Sequence, residues 1–366
     1  MKVRNMNIKS LILGSAAALV AAPAMAADLP VAEPVDYVKV CDAYGAGYHF
    51  IPGTDTCLKI GGYVRAEAQF TERFARADNK FEIWSRGLVT VTAKEETELG
   101  TLVSFIEIQG DTDASGIEMT KAWLSLGGMY AGYITSASVV DHVGGMYLGD
   151  FDLGDQTVGA IGYNADLGNG VSAHIAIENE IVEGASAVVG GIEAGQSMPA
   201  VAARIKVDQA WGSASLGAVV RQVNYNNAAT DSDLGFAVAA GITGKFDALT
   251  AALNAVYSEG ALGYTAWVGG EDALAGSLSD VWSISGMLKY AFADNAYGLV
   301  AAGYGEYDGV GATPDYDEWQ ITAEVGYTPV KNFTVKAAVL YKDRDSVVAA
   351  NDLESWEGKI RLQRDF

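Results

Sequence analysis

WEGKIRLQRDF, Trp356 to Phe366, alternates without a break: Trp356, Gly358, Ile360, Leu362, Arg364 and Phe366 fall on one face, and Glu357, Lys359, Arg361, Gln363 and Asp365 on the other. Side chains of a strand have a period of two, so one face is mostly apolar and the other charged or polar. A free strand of this kind would present an unpaired edge that invites aggregation. A closed barrel in a membrane has no edge, and it needs apolar residues outside and polar ones towards its lumen. Arg364 is the exception on the apolar face, two residues from the end, where a headgroup-level position tolerates a long cation.

The other end agrees. Lys2, Arg4 and Lys9 precede an apolar run from Leu11 to Ala22, and Ala24-Met25-Ala26 has the small-x-small pattern of a signal-peptidase site. Residues 1–26 are therefore expected to be a signal peptide that is removed. The run is too short for a transmembrane helix, which takes about 17 to 25 apolar residues, and no later run reaches that length.

Composition favours the barrel. Gly at 43 of 366 residues exceeds the usual ~7% and Pro at 7 falls below the usual ~5%, which suits long strands with small residues and few breakers. The 18 Tyr and 7 Trp fit aromatic girdles at membrane interfaces. A net charge of −22, more negative still without the basic leader, argues against nucleic acid as a partner.

Cys41 and Cys57 are the only cysteines. An even pair in an exported segment reads as a disulfide, with two free thiols as the alternative. A zinc site would want two further ligands, and only His49 lies nearby. His142 and His174 are scattered, no hydrolase or phosphate-loop motif appears, and no metal site, cofactor or catalytic set is expected.

From Leu58 the chain reads as strands of about ten residues. In the first, Leu58, Ile60, Gly62, Val64, Ala66, Ala68 and Phe70 share one face, and Lys59, Gly61, Tyr63, Arg65, Glu67 and Gln69 the other. Further strands are predicted near 80–94, 101–110, 117–126, 129–136, 157–166, 170–179, 199–207, 212–225, 233–244, 249–258, 281–291, 296–306, 318–328, 332–342 and 355–366, sixteen in all. Short links follow the even-numbered strands and longer ones the odd-numbered strands. The expected fold is thus an all-β, transmembrane antiparallel barrel of 16 strands over 58–366, with short periplasmic turns, longer external loops, and a pre-barrel segment over 27–57. The stretch ALGYTAWVGG within 259–280 could be a seventeenth strand, but that would break the parity, so 259–280 is assigned to a long external loop.

VCDAYGAGYHFIPGTDTCLKIGGYVR, Val40 to Arg65, resembles the N-terminal signature of the general porins of alphaproteobacteria, the family of the Brucella and rhizobial outer-membrane porins. KAWLSLGGMYAGY, Lys121 to Tyr133, looks like the strand-turn-strand that precedes the constriction loop of bacterial porins, and the final Phe366 resembles the signal by which the barrel-assembly machinery recognises its clients. The resemblance implies an outer-membrane homotrimer in contact with lipid, passing small hydrophilic solutes and ions by passive diffusion.

In that frame the segment from Ser136 to Gln156, SASVVDHVGGMYLGDFDLGDQ, takes the place of a loop folded into the lumen. It carries Asp141, Asp150, Asp152 and Asp155 and no Lys or Arg. Alternation aims Arg65, Arg86, Lys121, Lys359 and Arg361 into the lumen as an opposing basic side, and carboxylates facing cations across a narrow water path would filter by charge. The bland reading makes these aspartates solvated loop charges. Trp84 and Trp123 also fall on the nominal lumen face, either as pore lining or as a register slip of one. Rival functions are an adhesin or structural anchor with a closed lumen, and a barrel hydrolase.

Overall fold

The computed structural model describes residues 39–366, apart from 73–78, 115, 142, 147–155, 180–196, 226–229, 266–270, 275 and 311–312. The leader assigned to 1–26 lies outside the described residues. Val40–Phe366 forms one compact unit.

Sixteen long strands build it: β1 Cys57–Thr71, β2 Phe81–Thr97, β3 Gly100–Asp111, β4 Ile117–Leu126, β5 Met129–Thr135, β6 Thr157–Gly168, β7 Val171–Glu178, β8 Ala200–Gln209, β9 Gly212–Val223, β10 Asp233–Phe246, β11 Leu249–Glu259, β12 Asp280–Ala293, β13 Ala296–Asp308, β14 Tyr316–Val330, β15 Phe333–Ser346 and β16 Leu353–Asp365. Each pairs antiparallel with its chain neighbours, and β16 closes on β1, from Glu357 opposite Thr71 to Asp365 opposite Tyr63. Closure leaves no long edge, so the ladder satisfies the backbone where lipid cannot. The described residues of 259–280 form no additional barrel strand; they hold a one-turn 3-10 helix at Leu262–Tyr264 and a small hairpin of Ala273–Leu274 with Ser277–Leu278.

The even-numbered strands are followed by links of two residues, and four of these seven turns use left-handed backbone. Asn169, Asp247 and Asn332 take it, with φ of 52°, 50° and 62°; Asn and Asp tolerate this region because their short side chains bond locally.

Alternation sorts the wall. Ile83, Val300, Ile360 and Leu362 are exposed on the outside, as lipid-facing residues are in an isolated chain. Aromatics gather towards the long-loop end of the same face, where Trp282 packs on Tyr304 and Tyr341 lies between Trp319 and Trp356 at ring distances of 5.0 and 4.7 Å. Arg364 is exposed on this outer face one position beyond the apolar band. The Phe366 amide donates to the Gly62 carbonyl at 3.0 Å, continuing the closing ladder past β16.

Before the barrel, Cys41 and Cys57 are joined as a disulfide with Cα atoms 6.1 Å apart, and they pack with Tyr48 in a small buried cluster. The short strand His49–Phe50 pairs with the start of β1.

Candidate functional site

Closure of β16 on β1 decides which cations meet. Arg361 lies opposite Glu67, Gln363 opposite Arg65, and Arg65 opposite Arg86 on β2. Like charges set directly across a ladder repel, so each needs an anion nearby. Glu67, 1% exposed, supplies one: Arg361 Nε donates to it at 2.5 Å, Lys359 Nζ lies at 3.5 Å and Arg65 Nε at 3.7 Å. Arg65 Nε also donates to Gln363 Oε1 at 2.9 Å. Arg86 forks onto Asp111 with two hydrogen bonds of 2.7 and 2.6 Å, the bidentate geometry that suits a planar guanidinium. Its guanidinium also lies 5.4 Å from the Trp84 ring, so Trp84 shares the inner face.

Four of the five expected basic residues thus form one cluster across β16, β1 and β2. Lys121 stands apart on β4, opposite Glu107. It reaches the inner face through a bulge at Thr120: Met119 pairs with Ile108 on the outside, and the extra residue shifts the phase so that Lys121 joins Glu107 within. Trp123 follows the same phase and stacks on Phe105 at 5.3 Å.

Simple alternation missed other partners. Lys336 on β15 lies opposite Arg361 and 3.7 Å from Glu324 on β14. Arg204 and Lys206 on β8 share one face of a strand that begins with four apolar residues, and that parity was the available signal.

Both turn to the segment after β5. Ser136 Oγ and the Ala137 amide donate to the buried Glu178 carboxylate at the end of β7, at 2.8 and 2.7 Å. Arg204 donates to the Val139 carbonyl. The Asp141 amide donates to Ser215 Oγ at 3.0 Å, and Lys206 Nζ donates to Asp141 Oδ1 at 2.9 Å. The Met146 amide donates to Glu324 Oε2 at 2.7 Å. Gly217 and Gly241 allow the close approach, because a Cβ at either would collide with the carbonyl of Ser138 or Asp141.

Asp141 is therefore engaged with Lys206, and its bonds do not go to Arg65, Arg86, Lys121, Lys359 or Arg361. Burial pushes its carboxyl up, but the hydrogen bonds from Lys206 and Ser213 and the fields of Lys206 and Arg204 outweigh this and hold it below 3.8. Asp150, Asp152, Asp155 and His142 lie outside the described residues. His174 faces Arg204, with Nδ1 3.4 Å from the guanidinium, and among the described residues no group of His, Cys, Asp and Glu is arranged to hold a metal.

Many inward positions of β6 to β11 are small and apolar, with buried polar residues such as Glu178, Arg221 and Asn254 among them. Ala160, Ala176, Ala202, Val219, Ala239 and Val256 are buried in one cluster with Ala137 and Val140 of the segment after β5 and with Tyr264 from 259–280. A water-filled lumen alone would favour polar residues there; the two connecting segments cover these.

The porin subfamily profile matches residues 28–363. Porin Omp2b of Brucella canis is 34% identical across 99% of this chain and 100% of its own length, as is Porin Omp2b of Brucella abortus. The outer membrane channel DcaP of Acinetobacter baumannii has a similar fold, with a TM-score of 0.74 at 18% identity over 87% of this chain and 99% of its own. An anion-selective porin from Comamonas acidovorans aligns with a TM-score of 0.61 at 14% identity over 85% of this chain and 100% of its own. By profile, by identity along almost its full length and by its closed sixteen-stranded wall, the chain belongs to the porin subfamily and is a channel crossing the bacterial outer membrane with its strands.

Proposed function

We propose that the channel passes small hydrophilic solutes and ions by diffusion, through a constriction between the segment 136–156 and the basic cluster of Arg65, Arg86, Lys359 and Arg361. The observation that carries this reading is the span of the segment's hydrogen bonds. They begin at Glu178 on β7 and reach Glu324 on β14, seven strands further round a ring of sixteen. Partners so far apart on the ring are what a path across the lumen would join. The fixed charges on either side would orient polar solutes and filter them by sign. Asp141 acts here as an anchor neutralised by Lys206, which leaves Asp150, Asp152 and Asp155 as the acidic side.

The organisation proposed around the channel is a signal peptide at 1–26, a pre-barrel segment over 27–57 and a barrel over 58–366. The assembly proposed is a homotrimer in outer-membrane lipid, inserted by the barrel-assembly machinery reading Phe366. A solved neighbour in fold, OmpT of Vibrio cholerae, is described in a trimer form. Reconstitution in a planar bilayer tests the channel reading. Stepwise ohmic currents, in multiples of three when few oligomers insert, are expected. A silent, correctly folded barrel would favour the anchor or adhesin instead.

A further inference from the structure

We infer that the described parts of the connection after β11, 260–265 and 271–279 apart from 275, form a second element closing part of the external mouth, and that the ion pair between Arg221 and Asp272 is the latch that holds it and sets the pore's exclusion limit. This rests on the channel itself and not on the constriction assigned to 136–156.

An external loop that simply faced water would leave its residues wet. Here Ala261, Leu262, Tyr264, Thr265, Asp272, Ala273 and Ser279 are all buried. Arg221, on β9 between the inward-facing Val219 and Val223, is 1% exposed and donates to Asp272 Oδ2 at 2.6 Å and to the Gly260 carbonyl at 3.2 Å. The other Asp272 oxygen accepts from the Leu262 amide at 2.6 Å. The backbone closes the same fold, Gly260 N donating to Ser279 O at 2.8 Å and Ser279 N to Asp272 O at 2.9 Å.

The docked segment then meets the other inserted one. Tyr264 packs with Ala137, Val140 and Tyr130, and its hydroxyl donates to the Asn179 carbonyl at 3.3 Å. Leu262 packs with Val143, Val281 and Met287. Both segments therefore cover the wall from β6 to β13, and the free passage is displaced towards the basic cluster of β16, β1 and β2. A fully desolvated pair works as a latch because either charge alone is far costlier there than the pair. Losing one partner favours release, whereas replacing both by apolar groups removes the unpaired charge and costs less, chiefly the hydrogen bonds of the Leu262 amide and the Gly260 carbonyl.

The test places a reporter thiol at Ala261, since Cys41 and Cys57 are joined to each other. In the assembled channel, A261C should resist a membrane-impermeant maleimide, and adding Asp272→Asn should speed labelling about a hundredfold or more, the effect expected for breaking a buried pair. Asp272→Asn should also raise single-channel conductance and admit larger sugars in liposome swelling. The double variant Arg221→Met with Asp272→Leu should return both readouts towards those of the parent. If Asp272→Asn does not assemble, deletion of 261–273 with Arg221→Met gives the same permeability readout. Continued protection of A261C in the Asp272→Asn channel overturns the latch. Labelling without change in conductance or sugar size, or a deletion channel with parental permeability, overturns the role in exclusion.

Discussion

Glu67 shows how a buried carboxylate survives in a pore wall: the closing register of β16 brings Arg361 and Lys359 to it from one side, while Arg65 lies two residues away on its own strand. Glu67→Gln keeps the shape and removes the charge, leaving three cations crowded together. The expected cost is about 3 kcal/mol, the lower end for breaking a buried pair. It should appear as a lower temperature for the gel shift from folded to unfolded barrel, with the reversal potential moved towards anions. Asp141 gives a pH dependence of known sign. Its carboxyl is held below 3.8 in the folded chain, so docking through it is complete above the ordinary carboxylate range and is lost as pH falls through the depressed value. Current noise in a bilayer should therefore stay constant from about pH 7 to 5 and rise only below about pH 4; a rise centred near neutrality would assign the noise to another group. Parity made Arg65, Arg86, Lys359 and Arg361 legible, because a strand in a barrel has only two faces. The engagement of Asp141 was not legible, since Lys206 lies 65 positions away on another strand.

Strands are the scale at which the sequence spoke most clearly. All sixteen follow from alternation, turn residues and the parity of loop lengths, and the described residues of 259–280 add no seventeenth. Alternation is legible because lipid outside and water inside impose opposite demands on successive residues. It fades where that contrast fades. On β8 to β11 many inward residues are small and apolar like the outer ones, because loops rather than water cover them, with charges such as Arg204, Lys206 and Arg221 set among them. The inward fold of 259–280 could not be read in advance, since Arg221 and Asp272 look like ordinary charges until the chain brings them together. Two end elements carry predictions. The disulfide closes a loop of about fifteen residues, worth ~3 kcal/mol in the chain-entropy model. Cys41→Ser with Cys57→Ser should loosen the pre-barrel segment to protease while the barrel keeps its heat-modifiable mobility, because sheet closure satisfies the backbone without the staple. Phe366 adds a ladder bond to Gly62 and ends the outer apolar face. Deleting it should deplete folded barrel from the outer membrane without blocking export, and normal levels of heat-modifiable protein would show that the assembly machinery reads something else.

Over the whole molecule, selectivity is a contest between charges at different distances from the conducting path. Acidic residues crowd the long-loop ends of β11 to β16: Asp280 lies opposite both Glu259 and Asp308, Asp317 opposite both Glu306 and Asp345, and Asp343 opposite Glu354. Their field reaches the mouth only as far as salt allows, about 10 Å at 0.1 M but about 3 Å at 1 M. In the proposed arrangement the constriction lies against the basic cluster, where Glu67 and Asp111 offset only part of the positive charge. A channel whose selectivity came from the rim would lose it in strong salt, whereas one governed by the constriction would keep it. Weak cation preference is expected at low salt, from rim and inserted acids together, shrinking as salt rises. Replacing Asp150, Asp152 and Asp155 by Asn should move the zero-current potential towards anions at both concentrations, since in the proposed arrangement only Glu67 and Asp111 would then offset the basic cluster. Asp141→Asn should shift it less, because Lys206 already balances that charge and the shift is the small one of uncovering a lysine on the far wall. A triple variant that keeps the parent's reversal potential at 1 M salt would place the three aspartates away from the conducting path and leave the rim as the sole source of selectivity.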